Sequence, residues 1–115
     1  MNHAFEASVR QLSGLAIIDL SGEINAFADQ ELDAVYSEAE ATNASTIVLN
    51  FAQVTYINST GIALIVGLLA RARKANRRLV VIGLSDHYVE IFQITRLVDF
   101  MSIYPDETSV VAQVG

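Results

Sequence analysis

The chain has 115 residues, 52% of them hydrophobic and 17% charged, so its length and composition predict one globular domain, residues 1–115, rather than a disordered segment. The absence of cysteine excludes disulfides, thiolate metal sites and thiol nucleophiles, and a net charge of −6 argues against a nucleic-acid binder. The first residues lack the basic and apolar pattern of a signal peptide, and the longest apolar run is too short to span a membrane, so we expect neither a signal peptide nor direct membrane insertion. We therefore expect a cytoplasmic protein.

The N-terminal part of the chain predicts a β-hairpin followed by a helix. A turn at residues 11–14 divides two apolar segments, which predicts strands at about 4–10 and 15–21. Residues 28–41 have the apolar spacing of an amphipathic helix, with acidic residues on its other faces. The residues that define its apolar face are Leu32, Val35, Tyr36 and Ala39.

Strands and helices alternate along the rest of the chain. The predicted elements are a strand at 46–51, a helix at 61–76, a strand at 79–84, a helix at 86–95, a strand at 100–104 and a short helix opened by Pro105. In the helix at 86–95 the expected apolar side consists of Val89, Ile91, Phe92 and Ile94. The resulting order, β-β-α-β-α-β-α-β-α, predicts an α/β fold whose sheet is mixed but mostly parallel, with an antiparallel edge from the hairpin.

Five of the seven cationic residues lie within eight residues, at the end of the predicted helix 61–76. They are Arg71, Arg73, Lys74, Arg77 and Arg78. Because cations suit the negative end of a helix dipole, the pattern is typical of a solvated helix C-terminus. The alternative is a surface that meets an acidic patch on a partner.

The sequence offers little chemistry for catalysis. Its two histidines, His3 and His87, lack a partner at metal-ligand spacing, and the latter is typical of a surface or capping residue. The glycines form neither a phosphate-binding loop nor a dinucleotide fingerprint. Ser59 lacks the glycine two positions before it that a nucleophile elbow requires. We therefore expect a protein that is not an enzyme and that uses no cofactor, metal or catalytic residue.

The junction Asn58-Ser59-Thr60-Gly61 precedes the longest apolar run and has two interpretations. The simpler is a helix N-cap, in which Asn58 or Ser59 accepts a hydrogen bond from a backbone N–H two or three residues later. The second is a phosphate acceptor, because free N–H groups and the positive end of the helix dipole favour an anion. The two are compatible. With no Arg or Lys in residues 49–69, an added phosphate would act mainly on whatever docks there.

Two longer segments resemble a known family. "LSGEINAFADQELDAVY" and "IVLNFAQVTYINSTGIALIVGL" are similar to the STAS domain of bacterial anti-sigma factor antagonists, and the resemblance extends over about residues 4–113. The family has a Gly-Glu-Ile/Leu-Asp element after its second strand. Its motif Asp-Ser-Ser/Thr-Gly-Leu-Gly opens the next helix. The strand order predicted above is also the order that the family has.

The resemblance implies a binding protein controlled by phosphorylation. In the family, the unphosphorylated antagonist binds an anti-sigma factor and so releases a sigma factor for transcription. The anti-sigma factor is also a serine kinase that inactivates the antagonist, and a serine phosphatase restores it. By position the target serine is Ser59, with Thr60 the less favoured hydroxyl. The implied partner-binding residues are Ser21, Gly22, Glu23, Ile24, Asn25, Asn58, Ser59, Thr60 and Gly61.

Two departures from the family pattern support an alternative. Asn58 and Asn25 stand where the family has aspartates, so two carboxylates are lost while shape and hydrogen-bonding length are kept. If those carboxylates orient the serine or balance magnesium in the kinase complex, phosphorylation is slow. The alternative is then a STAS interaction module without a phosphorylation switch, such as a subunit of a lipid-transport or signalling assembly.

Overall fold

A computed structural model describes residues 4–114. Its five strands form one sheet in the order β1-β2-β3-β4-β5, in which β1 and β2 are antiparallel and the other neighbours are parallel. The strands are β1 Glu6–Leu12, β2 Leu15–Ile24, β3 Thr46–Ile57, β4 Arg78–Ile82 and β5 Ser102–Tyr104. The helices are α1 Asp29–Ala41, α2 Ser59–Lys74, α3 Asp86–Ile94 and α4 Glu107–Gln113, with 3-10 turns at Ala26–Ala28 and Leu97–Asp99. The predicted element order and mixed sheet are confirmed.

The hairpin turn is shorter than predicted. It consists of Ser13 and Gly14 alone, both with left-handed backbone, at φ values of 51° and 80°. A two-residue turn with both residues left-handed matches the twist of paired strands, so the strands run up to the turn on both sides. Across the hairpin, Arg10 on β1 binds Asp19 on β2 and Glu107 on α4, which fastens the last helix to the sheet edge.

The strand β3 is twice as long as the predicted 46–51. Its first half pairs with β2 and β4, and the pairing with β4 ends at Asn50↔Ile82. Its second half is largely exposed and pairs with β2 alone, as far as Ile24↔Ile57. The apolar run stops at Phe51, but the backbone hydrogen bonds to β2 continue the strand. This extension carries the chain to the end of β2, where α2 begins.

The core lies on both faces of the sheet, with α1, α2 and α3 on one face and α4 on the other. The predicted apolar face of α1 is confirmed, since Leu32, Val35, Tyr36 and Ala39 are all buried. For α3 the prediction is wrong at Ile94, which is 72% exposed. Ile94 lies about 200° around the helix from the buried Phe92, so the two side chains point to opposite sides. Within residues 4–114, no helix combines the length and apolar character needed to cross a membrane.

Arg71 lies in the last turn of α2, as the helix-end interpretation predicts, but its side chain is also bound to α1. Its guanidinium binds Asp33 and Glu40 of α1, at 2.6 and 2.7 Å, and lies 4.8 Å from the ring centre of Tyr36. Tyr36 is fully buried, and this burial raises the pKa of its hydroxyl. The side chain of Arg71 therefore links α2 to α1, the two longest helices.

Candidate functional site at the start of α2

Asn58 caps α2. Its backbone is extended, and its side-chain Oδ1 accepts a hydrogen bond from the N–H of Gly61 at 2.8 Å, while its carbonyl accepts from the N–H of Ile62 at 2.9 Å. This is the geometry of an N-cap. The helix accordingly begins at Ser59, two residues before the predicted start, and the cap is Asn58 rather than Ser59.

The two hydroxyls follow the cap as the first two residues of the helix. The side chains of Ser59 and Thr60 are both exposed, and neither hydroxyl is hydrogen-bonded to another group within residues 4–114. Their backbone N–H groups precede the first residue with a helical partner, so they belong to the unsatisfied donors of a helix start. The helix cap is thus supplied by Asn58, and among the described residues the hydroxyl of Ser59 takes no part in it.

Gly61 lets α2 contact the end of β2. A Cβ at this position would lie 2.1 Å from the carbonyl oxygen of Ile24 and 2.9 Å from Cγ2 of Ile57. The same carbonyl accepts a hydrogen bond from the N–H of Asn58, at 3.2 Å. The helix start and the strand end are thus in direct backbone contact, and only glycine fits between them.

The end of β2 supplies the remaining residues of the predicted surface. Ser21, Gly22, Glu23 and Ile24 belong to the strand itself, rather than to a loop after it. Gly22 has a φ of 86°, beside an irregularity in the pairing with β3. Gly22 and the side chain of Ile24 are buried, whereas Ser21 and Glu23 are half-buried. Gly22 and Ile24 therefore shape the site, and only the other two present side chains at the surface.

Asn25 is a second capping asparagine. Its backbone is extended, and its Oδ1 accepts a hydrogen bond from the N–H of Phe27 at 2.9 Å, which starts the 3-10 turn Ala26–Ala28. Both Asn25 and Asn58 thus use the side-chain oxygen alone to organise the backbone. An aspartate has the same acceptor at the same place, so the local structure does not need a carboxylate.

Exposed apolar side chains on α2 and on the segments that lead to its start were not anticipated from the sequence. Phe27 is 95% exposed on a turn that contacts α2, and Tyr56 and Val66 are 53% and 44% exposed. Ala63, Gly67 and Ala70 continue an exposed face of small residues along α2. The exposure of Phe27 could have been predicted, because Phe27 does not continue the helical spacing of the buried residues Leu32 and Val35. We call Phe27, Tyr56, Ser59, Thr60, Ala63, Val66, Gly67 and Ala70 the α2 surface.

Tyr88 supports the site from α3. Its buried hydroxyl accepts a hydrogen bond from the N–H of Ile57 at 2.8 Å and lies 3.3 Å from the carbonyl of the same residue. This contact holds the last residue of β3, which has no neighbour on the β4 side. His87 is exposed and packs edge-on against the ring of Tyr88, and His3 lies outside the described residues. The sequence could not have placed Tyr88 beside Ile57, because the two residues are 31 positions apart along the chain.

The chain matches a known protein family over most of its length. The family model of the STAS domain matches residues 6–110. The chain belongs to the STAS domain family. An anti-sigma-B factor antagonist from Staphylococcus aureus is 30% identical to this STAS domain over 86 residues, which cover 75% of this chain and 80% of the relative.

Solved structures with the same fold include two antagonists. An anti-sigma factor antagonist from Mycobacterium paratuberculosis superposes on this STAS domain with a TM-score of 0.83 and 17% identity, covering 96% of this chain and 94% of the other. The Bacillus cell fate determinant SpoIIAA, solved in its phosphorylated form, gives a TM-score of 0.71 and 24% identity, covering 97% and 100%. At these identities the likeness shows the fold.

Proposed function

We propose that this STAS domain is an anti-sigma factor antagonist with a phosphorylation switch at Ser59. In the unphosphorylated form it binds an anti-sigma factor that is also a serine kinase, and so releases a sigma factor. Phosphorylation of Ser59 blocks binding, and a serine phosphatase restores it. The observation that carries the proposal is the exposed hydroxyl of Ser59, which directly follows the Asn58 cap and has no hydrogen-bond partner among residues 4–114. The relatives named as antagonists, and the neighbour solved in a phosphorylated form, support it.

The helix start tolerates a phosphate on Ser59. A phosphoserine carries about −1.5 to −2 charges at pH 7, and the unsatisfied N–H groups and positive dipole end of a helix N-terminus favour such an anion. Because the side chain of Ser59 points into solvent, the phosphate displaces no core residue. Modification of Ser59 therefore leaves the fold intact and changes the surface.

The α2 surface explains how such a change acts on binding. Its side chains are apolar or uncharged, with Phe27 and Val66 available for burial by a partner. A partner that covers this surface must remove water from Ser59 as well, and removing water from an unpaired dianion is costly. Residues 49–69 contain no Arg or Lys that could pair with the phosphate. The new charge thus weakens the complex unless the partner supplies a cation.

The two asparagines bear on the rate of phosphorylation rather than on the fold. Asn58 and Asn25 both form their caps, so the site is built without the family carboxylates. A kinase that needs a carboxylate beside the serine will phosphorylate Ser59 slowly, and Asn58→Asp will then raise the rate. A kinase that needs only the capped helix start will act equally on both proteins.

The first test measures occupancy of the phosphate. We expect intact mass and phosphopeptide mapping of the protein from its own cells to find one phosphate on Ser59, with an occupancy that changes between stressed and unstressed growth. Thr60→Ala is the matched control and should keep the phosphate, whereas Ser59→Ala should lose it. A protein that carries no phosphate under any condition contradicts the switch and favours an unswitched STAS module.

The second test measures binding. Ser59→Asp and Ser59→Glu should bind the anti-sigma factor roughly 5- to 150-fold more weakly than the unchanged protein, the usual range of coupling between a modification and a binding site. Ser59→Ala should bind as tightly as the unchanged protein, and all three should melt at nearly the same temperature. Equal affinity of the acidic and alanine variants would contradict the proposed function.

A further inference from the structure

A cavity of about 340 Å³ lies near the C-terminal end of α2. Its walls come from that end of the helix, the start of β4 and the segment between α3 and β5, and they include Arg73, Arg77, Arg78, Phe100 and Ser102. At 1.5 Å per residue, Arg73 of the cavity lies roughly 21 Å along α2 from Ser59. The cavity is therefore distinct from the α2 surface around Ser59, and it falls in the size range of small-molecule sites.

The three arginines are held in place by neutral groups. The guanidinium of Arg73 lies 4.9 Å from the ring centre of Phe100, and Arg78 donates a hydrogen bond to Ser102 Oγ at 2.9 Å. Arg77 donates to the carbonyl of Ala44 at 2.6 Å. Aromatic, hydroxyl and carbonyl partners orient a guanidinium without cancelling its charge. The three side chains thus stay cationic and are partly preorganised.

No carboxylate neutralises these arginines within residues 4–114. Asp99 also lines the cavity, but it is bound by Arg96 at 2.8 Å. The Nε of Arg77 is buried and has no acceptor within the same residues. The buried Nε is not accessible from the cavity, but an anion bound there would still offset the charge of this guanidinium.

The helix dipole accounts for only part of this cluster. Arg73 lies in the last turn of α2, where a cation is favourable. Arg78 lies on β4 and donates hydrogen bonds to the hydroxyls of Ser102 and Tyr104 on β5, so the helix dipole does not explain its position. A chain with a net charge of −6 repels anions in general, yet three arginines without a carboxylate partner in residues 4–114 line this one cavity. A local anion site explains that collection.

We propose that this cavity binds the phosphate group of a small phosphorylated molecule. Guanidinium groups donate two parallel hydrogen bonds to phosphate oxygens, which gives geometric selectivity as well as charge pairing. The concave shape suits a small ligand rather than an acidic protein segment, which would need a broad surface. The exposed ring of Phe100 lies at the same cavity and offers an apolar face to the rest of the ligand.

Pyrophosphate is the probe that tests this proposal. In a titration followed by ¹⁵N–¹H NMR at constant ionic strength, we expect saturable shifts in the amides of residues 73–78 and 98–102 and none in residues 58–61. Arg73→Gln and Arg78→Gln should each weaken the affinity about tenfold or more, because each removes charged hydrogen bonds to the ligand. Lys74→Gln is the matched control: it removes the same charge from a neighbouring residue that does not line the cavity, and it should change affinity less than about twofold.

Several outcomes would overturn the proposal. Shifts that do not saturate, or an equal loss in Lys74→Gln, would mean diffuse attraction rather than a site. Equal binding of citrate would remove the selectivity for phosphate. A glutamate-rich peptide that moves the same amides where pyrophosphate does not would identify an acidic protein segment instead. None of these results depends on Ser59, so the proposed antagonist function stands or falls separately.

Discussion

The two ends of α2 contact the rest of the protein through different groups, the backbone at the start and charged side chains at the end. At the start, Asn58 and Gly61 touch the backbone of Ile24, and residues 49–69 contain no Arg or Lys. At the end, long cationic side chains reach neighbouring elements, as Arg71 does to α1. The first end depends on fit between main chains, and the second on flexible charged side chains. The contrast teaches that the proposed modification site is held by backbone contacts and has no cation on residues 49–69.

That difference suits a switch. A phosphate added to Ser59 meets the favourable positive end of the helix dipole but no counter-ion on residues 49–69. Its charge is therefore available to a partner. The same phosphate placed near Arg73 or Arg78 would be neutralised within the protein itself. Because the length of α2 separates Ser59 from the arginines at the other end of the helix, those arginines do not neutralise the added phosphate.

The largest expected effect breaks the fit at the first end. Gly61→Ala puts a Cβ 2.1 Å from a strand carbonyl that cannot move cheaply, so we expect the free energy of unfolding to fall by about 1–3 kcal/mol or more. Gly67→Ala in the same helix meets no atom within 4 Å and should raise it by roughly 0.5–1 kcal/mol. Urea unfolding measures both values. Shifts of the same sign in the two variants would contradict the backbone contact.

The second largest effect is expected at Asn58, the N-cap of α2. Asn58→Ala removes the acceptor for the Gly61 N–H and should cost about 1 kcal/mol of unfolding free energy. Asn58→Asp keeps the acceptor and adds a charge that the helix N-terminus favours, so it should match or exceed the stability of the unchanged protein. Thermal melting at pH 7 separates the two variants. A loss of stability in both would mean that the amide NH₂ matters as well.

The smallest effect tests the charged end. Arg71→Gln breaks the contacts with Asp33 and Glu40, and we expect a loss of less than about 1 kcal/mol because the groups are partly exposed. The loss should shrink in 1 M salt, where the screening length is only about 3 Å. Arg96→Gln, which affects a single and more exposed pair with Asp99, is the control and should be close to neutral. A salt-independent loss would assign the effect to the packing of Arg71 on Tyr36.

Parts of the site were visible in the sequence because they depend on local rules. The Asn-Ser-Thr-Gly junction predicts a capped helix start, and the cap is present at Asn58. The spacing of apolar residues and the composition of each segment predict the alternating strands and helices, and the element order is confirmed. One error concerned which side of a helix is buried, and another concerned a strand that depends on a distant partner. Ile94 falls on the exposed side of α3, and the second half of β3 exists through its pairing with β2.

The amino-acid sequence by itself determined which elements form, in what order, and that a capped junction with two hydroxyls lies at the start of α2. These properties depend on side-chain spacing and on hydrogen bonds between residues two to four apart. Only the tertiary structure decided that Gly61 lies against the Ile24 carbonyl, that Tyr88 holds Ile57, and that three arginines surround one cavity. Such contacts join residues more than thirty positions apart or on different elements, and no local spacing records how closely two packed backbones approach.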